Sequence, residues 1–176
     1  MGLPKIDLSD LRFELLGAHD RAAFSCGIEA LDNYIKKQAS QDVKKKAAVL
    51  YVATTDGKTI LGYYTLSQYS VQLDQIPIEI SRKFPKYPVV PATLLGRLAR
   101  TISAKGHGVG ELMLLDALYR AVKMSEQIAS AAIVTDAKDQ KAMEFYKKYG
   151  FIELPKVERR LFLPMETISK VFPGTR

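Results

Sequence analysis

Residues 103 to 112 read SAKGHGVGEL, with Gly106, Gly108 and Gly110 on alternate positions directly ahead of a strongly helix-forming run. The first N–H groups of a helix have no intrahelical partner and lie at the positive end of the helix dipole. Glycines ahead of them let the backbone approach an anion with no Cβ in the way. That combination can hold a phosphate. A flexible strand-to-helix turn uses the same residues, so on the glycines alone both readings stand. Two other phosphate loops are excluded. A dinucleotide fingerprint needs glycine or alanine at position 111, which is Glu111. A P-loop needs Gly-Lys-Ser or Gly-Lys-Thr, and neither follows.

The remaining reactive residues narrow the chemistry further. The chain has one cysteine, Cys26, and two histidines, too few for the usual structural zinc site, so no metal is expected. With no histidine near it in the sequence, Cys26 reads as a small apolar residue before it reads as a nucleophile. A lone cysteine fits a reducing cytoplasm. No carboxylate is marked as a base; Asp136 and Asp139, near the end of a short strand and the start of a helix, read as capping and solvent-facing residues. Lysine and arginine outnumber aspartate and glutamate 26 to 19, a net charge of +7 that favours polyanionic partners. Lys36, Lys37, Lys44, Lys45 and Lys46 border the first helix, Arg82, Lys83 and Lys86 precede a core strand, and Arg159 and Arg160 lie near the end. Each alone reads as a solvated surface residue. As a group they suit nucleic acid or an acidic protein.

These residues must be positioned by a soluble fold. At 176 residues the chain is expected to form one domain, residues 1–176, with no membrane-spanning run, no secretory signal, and Ile6 where myristoylation needs Ser or Thr. GIEALDNYIKKQASQDVKKK has apolar residues at Ile28, Leu31, Ile35 and Ala39 and predicts a first helix. AAVLYVATT and TILGYYTLSQYSVQL predict two strands joined by an Asp-Gly turn. A short helix is expected in IPIEISRKF, then an extended linker YPVVP, then a strand ATLLGRLARTI with a bulge suggested by Gly96. GVGELMLLDALYRAVKMSEQI predicts a long helix, heavily buried through Leu112, Leu115, Leu118, Tyr119 and Val122. SAAIVTDA is a core strand, KDQKAMEFYKKYG a helix closed by Gly150, FIELP and RRLFLPM the last strands, and ETISKVF a terminal helical turn. Early antiparallel strands and a later strand–helix–strand crossover give an α+β protein with a mixed, mostly antiparallel sheet flanked by helices.

Read as a unit, K-G-H-G-V-G resembles the acetyl-coenzyme A pyrophosphate loop of the Gcn5-related N-acetyltransferase (GNAT) superfamily, with Lys105 where that family usually has Gln or Arg. FSCGIEALDNYIKKQASQD, LGYYTLSQYSVQLDQIP, PATLLGRLA and AMEFYKKYGF follow the order seen in the toxin branch of that superfamily. The resemblance covers roughly residues 13 to 165 and is specific as a set, through F-x-C-G-x-x-x-L-D-x-Y and the tyrosine of F-Y-x-x-x-G-F. Arg100 and Thr101 depart from the RLAVD common in relatives, at the edge of the expected substrate groove.

The resemblance implies the GNAT fold and acetyl-CoA as donor. Leu98 and Ala99 would offer backbone groups to the pantetheine arm, and the turn Lys105, Gly106, His107, Gly108, Val109, Gly110 would take the pyrophosphate. Arg97 at the strand end would meet an acidic group or read as a surface arginine. Tyr146 would hand a proton to the departing thiolate, since a phenol with pKa near ~10 is protonated at neutral pH; Phe145 beside it is the more natural core residue. The branch acetylates the amino acid of charged tRNA, which then cannot extend a chain. An α-amine near pKa ~8 is substantially neutral at physiological pH, unlike a lysine near ~10.4, so such an acceptor fits a chain with no marked base. The resemblance also implies a ribbon-helix-helix antitoxin, a homodimer, and DNA contact only through the antitoxin complex. An acetyltransferase for protein or small-molecule amines, and a non-catalytic module binding antitoxin and DNA, are the alternatives.

Overall fold

The computed structural model describes residues 5–173. Seven strands are ordered β1-β2-β3-β4-β5-β7-β6 in one mixed sheet. The fold clusters into two compact units. One holds the chain up to Ser67 together with Gly96–Ala117; the other holds Gln68–Leu95 and the chain from Leu118 on.

In the first unit, β1 (Arg12–Leu15), β2 (Val49–Thr54) and the start of β3 (Gly62–Gln72) pair antiparallel, with Glu14 opposite Val52 and Val52 opposite Tyr63. The expected Asp-Gly turn is present inside a longer loop, because the last ladder pair is Ala53 with Gly62. Asp56 organises that loop: its Oδ1 accepts from the amides of Lys58 at 2.8 Å and Thr59 at 2.7 Å. The Thr59 hydroxyl and these amides hold the Asp56 carboxyl well below the usual carboxylate range.

The expected first helix forms in three pieces: α1 (Glu29–Asn33), a π-helical turn (Tyr34–Gln38) and α2 (Ala39–Lys44). The Ala39 amide donates back to the Tyr34 carbonyl, the wide hydrogen bond of a π turn. The extra residue lets Tyr34, Ile35 and Ala39 all point inward, where they join Phe24, Leu50, Val52, Ile60, Tyr63 and Ala99 in one core. Phe24 meets Tyr63 edge-on at 5.3 Å, and Tyr34 lies over Tyr63 at 6.2 Å. Gly62 has a packing role: a Cβ there would stand 2.5 Å from Met113 Sδ and 3.0 Å from the Ala99 carbonyl.

In the second unit, β5 (Ala132–Asp136) runs parallel to β4 (Val89–Arg100), with Thr93 opposite Ile133 and Leu95 opposite Thr135. This is the expected crossover pair. β7 (Arg160–Pro164) is antiparallel to β5 and carries the two-residue β6 (Ile152–Glu153). Val71, Ile76, Val90, Ala92, Ala132, Val134, Leu154 and Phe162 form the core of this unit. A short α3 (Ile78–Ser81) precedes β4, α5 (Gln140–Lys148) follows β5, and α6 (Met165–Val171) closes the described chain. Asp139 caps α5 by accepting from the Ala142 amide at 2.8 Å, as expected, and Gly150 ends it with a φ of 91°.

Two expectations are corrected. Val89–Pro91 is not linker but the opening of β4, where Pro91 uses its carbonyl to accept the Ala131 amide at 2.8 Å and needs no N–H. Gly96 lies within β4 and is the first residue past the ladder with β5. The long helix α4 (Val109–Ser125) buries Val109, Met113, Leu114, Ala117, Leu118, Ala121 and Val122, whereas Leu112, Leu115 and Tyr119 are exposed.

Candidate functional site

The glycine turn starts from a short 3-10 turn, Ile102–Ala104. Gly106 and Gly108 take φ values of 79° and 75°, the left-handed region that favours glycine. The first hydrogen bond inside α4 runs from the Leu112 amide to the Gly108 carbonyl at 3.1 Å. The amides of Val109 and Gly110 therefore precede the helical ladder. A Cβ built at Gly106 or Gly110 would meet nothing within 4 Å, so the backbone lies open on that side. Glu111 Oε2 lies 3.5 Å from where a Cβ of Gly108 would stand, an acidic first-turn residue of the kind that favours a helix start.

His107 is held by its neighbours through both main chain and ring. Its amide donates to the Ala104 carbonyl at 3.3 Å. Its ring is held at both nitrogens: Nδ1 lies 3.1 Å from the Lys105 carbonyl and Nε2 accepts the Ile6 amide at 3.2 Å. The Lys105 side chain is exposed.

The strand end before this turn belongs to the same unit. Ala99 is buried in the core and Leu98 is half-buried. The guanidinium of Arg97 lies over the ring of Tyr34, 3.6 Å from its centroid. Tyr34 donates its hydroxyl to Asp42 at 3.0 Å. Burial and that carboxylate push the Tyr34 phenol up to about 12. Ser25 anchors the entry to the turn, its carbonyl accepting both the Thr101 hydroxyl at 3.0 Å and the Ile102 amide at 2.9 Å. Asp32 in turn accepts the Cys26 amide at 2.8 Å and the Ser25 hydroxyl at 3.4 Å. Cys26 is half-buried and unbridged. The quoted motif residues Phe24, Cys26, Gly27, Leu31, Asp32 and Tyr34 thus build the floor of this strand end. Thr101, a departure in sequence, has a stated job there.

In the second unit, Tyr146 on α5 is more deeply buried than Phe145, the reverse of the expected division between them. Its ring sits 5.3 Å from both Phe145 and Phe151. Burial pushes its phenol up, and its hydroxyl meets Thr135. The Thr135 hydroxyl donates to the Leu95 carbonyl at 2.9 Å. The sequence carried no signal for this partner, because Thr135 reads as an ordinary strand residue.

The basic residues divide. Lys36 and Lys37 are exposed on the π turn, with Lys44, Lys45 and Lys46 exposed at the end of α2. Arg82, Lys83 and Lys86 are exposed after α3. Arg160 is removed from the set: it forms a bidentate pair with Asp136, at 2.8 and 2.9 Å, and covers the Tyr69 ring. Arg159 donates to the Lys138 carbonyl at 2.7 Å. Among the described residues no helix is long and apolar enough to cross a membrane, and no group of three or more His, Cys, Asp or Glu could hold a metal ion.

No protein-family model matches the chain. It is 35% identical over 161 residues to a probable toxin TacT of Sinorhizobium fredii, across 87% of this chain and 89% of that protein. It is 32% identical over 149 residues to a tRNA-acetylating toxin of Mycobacterium tuberculosis, across 85% of this chain and 88% of that protein. AtaT complexed with acetyl-methionyl-tRNAfMet has the same fold, with a TM-score of 0.86 at 30% identity over 93% of this chain and 100% of that one. A tyrosine-to-phenylalanine variant of AtaT, bound to acetyl-CoA and the C-terminus of the antitoxin AtaR, matches with a TM-score of 0.81 at 26% identity over 94% of this chain and 100% of that one. The toxin fold in a KacTA–DNA complex matches with a TM-score of 0.77 at 27% identity, over 92% of this chain and 98% of that one.

Proposed function

The chain belongs to the GNAT-fold tRNA-acetylating toxins of toxin–antitoxin systems, and from that premise we propose that it moves acetyl from acetyl-CoA to the α-amino group of an aminoacyl-tRNA, blocking translation. The observation that carries the reading is the start of α4, where amides without helical partners follow glycines whose missing Cβ atoms leave open space. That arrangement fits a diphosphate. Lys105, Gly106, His107, Gly108, Val109 and Gly110 form the cradle in this reading, with the amides of Gly108, Val109 and Gly110 as the main donors because that of His107 is already engaged. Leu98 and Ala99 line the pantetheine arm.

Acetyl-CoA supplies an activated acetyl group and a thiolate leaving group. Tyr146 holds a proton at its hydroxyl for that thiolate, and burial, by raising its pKa, keeps the phenol protonated throughout the neutral range. Thr135 meets the hydroxyl and helps to orient it. The acceptor amine needs no carboxylate base, because a fair fraction of α-amines is neutral at physiological pH. Arg97, Lys36, Lys37, Lys44, Lys45, Lys46, Arg82 and Lys83 meet tRNA phosphates, a contact that weakens with salt.

The partners are aminoacyl-tRNA and an antitoxin. We assign the antitoxin to the ribbon-helix-helix class, with DNA reached only through the toxin–antitoxin complex, and read the toxin as a cytoplasmic homodimer made of one acetyltransferase domain, residues 1–176. The test is transfer of labelled acetyl from acetyl-CoA to charged and uncharged tRNA. Label on charged tRNA alone is expected. Label on peptides alone would move the acceptor to protein amines. No transfer and no donor binding would leave a binding module.

A further inference from the structure

We propose that Arg97, presented by Tyr34, clamps the phosphodiester of the acceptor's 3′-terminal nucleotide. The inference rests on the reading of the chain as an aminoacyl-tRNA acetyltransferase and adds to it a site for one particular anion.

Arg97 is half-buried, and among the described residues no carboxylate pairs with it. Its one described partner is the Tyr34 ring, 3.6 Å from the guanidinium carbon. A ring stacked on a guanidinium occupies its face and leaves the in-plane N–H donors free. Those donors form a fork that matches two oxygens of a phosphodiester. Keeping such a cation half-buried and unpaired costs free energy, which a bound anion offsets.

The platform is itself fixed. Tyr34 is 2% exposed, its hydroxyl is held by Asp42 at 3.0 Å, and it opens the π turn that ends at Gln38. The same turn exposes Lys36 and Lys37, where further phosphates of a single strand could be met.

The substrate explains why an anion site belongs here. In an aminoacyl-tRNA the reacting amine is linked through an ester to the terminal ribose, and the first anion along the chain from that amine is the phosphodiester of the same nucleotide. Arg97 directly precedes Leu98 and Ala99, the residues assigned to the arm that carries the acetyl group. A peptide amine lacks this phosphodiester, so the clamp selects for tRNA.

The test uses the full chain with purified charged tRNA across a range of salt concentrations. For Arg97→Ala the KM for charged tRNA should rise about ten- to hundredfold, the scale of a lost charge-assisted contact, while kcat and the affinity for acetyl-CoA hold. The slope of log KM against log salt should fall by about 0.7, as expected for one lost single-strand phosphate contact. Arg97→Lys keeps the charge without the fork and should retain the slope with an intermediate KM. Tyr34→Leu should raise KM as well, and Tyr34→Phe, which keeps the ring, should recover most of that loss. An unchanged salt slope in Arg97→Ala overturns the clamp and leaves Arg97 as a packing residue. Weakened acetyl-CoA binding with an unchanged tRNA KM also overturns it, by assigning Arg97 to the donor. A wild-type protein that acetylates no charged tRNA overturns the functional reading itself, and the clamp with it.

Discussion

The glycine turn and the helix bearing Tyr146 are built from opposite materials. The turn presents main-chain amides and leaves open space at Gly106 and Gly110. The helix presents a single phenol oxygen on a ring packed against Phe145 and Phe151. A site made of backbone tolerates the loss of any side-chain function because it uses none, but it is harmed by added atoms. A site made of one hydroxyl is harmed by losing one atom, and its packing survives that loss. The two regions should therefore fail in different ways.

The largest effect is expected for Tyr146→Phe. The ring contacts remain, and Thr135 keeps its bond to the Leu95 carbonyl, so folding should be little disturbed. Loss of a general acid lowers kcat by about 10²–10⁴-fold, with the acetyl-CoA affinity unchanged by calorimetry. The pH profile sharpens this. An acid must be protonated to act, so activity due to Tyr146 is lost as pH rises through its folded pKa. Burial lifts that pKa above the ordinary value of about 10, so the wild-type kcat should show no alkaline fall from this group in the neutral range. A full-rate Tyr146→Phe protein would remove Tyr146 from the chemistry.

Next in size is Gly108→Asp. The φ of 75° strains any residue with a Cβ by about 1–2 kcal/mol, although aspartate tolerates this region better than most. The new carboxylate would stand beside Glu111 and repel a phosphate. Acetyl-CoA should bind at least about tenfold more weakly, a loss of ~1.4 kcal/mol, while kcat at saturating donor changes far less than in Tyr146→Phe. Unchanged donor affinity in the folded variant would count against the cradle.

The same contrast explains what could be read before any coordinates. The turn was legible because positive φ and the lack of a Cβ are demands that only glycine meets, and they act locally. The Gly150 helix end was legible for the same reason, and the Asp139 cap because a side-chain acceptor for the first helical amides is also a local demand. Tyr146 was visible only through its resemblance to F-Y-x-x-x-G-F, since its burial and its Thr135 partner come from tertiary packing. The π turn left no trace, because one added residue keeps Ile35 and Ala39 apolar and inward as an unbroken helix would. Pro91 was misread as linker because a proline at a strand start needs only its carbonyl. Arg160 looked like a free surface cation until its strand register set it opposite Asp136.

The smallest effect separates stability from binding at one atom. Gly110 has an ordinary helical backbone in the first turn of α4, and a Cβ there would meet nothing within 4 Å. Nothing in the protein itself requires glycine at this position. Alanine should stabilise the helix by about 0.5–1 kcal/mol, because glycine has the poorer helix propensity, and this would be read as a small rise in Tm. If the open space belongs to a diphosphate, the added methyl must crowd it. Acetyl-CoA affinity should then fall modestly, about threefold or more, a loss of ~0.6 kcal/mol. A rise in Tm together with weaker donor binding would mean that glycine is kept at 110 for the ligand and at a cost to the fold. A rise in Tm with unchanged affinity would place the diphosphate elsewhere and leave the turn as a connection between β4 and α4.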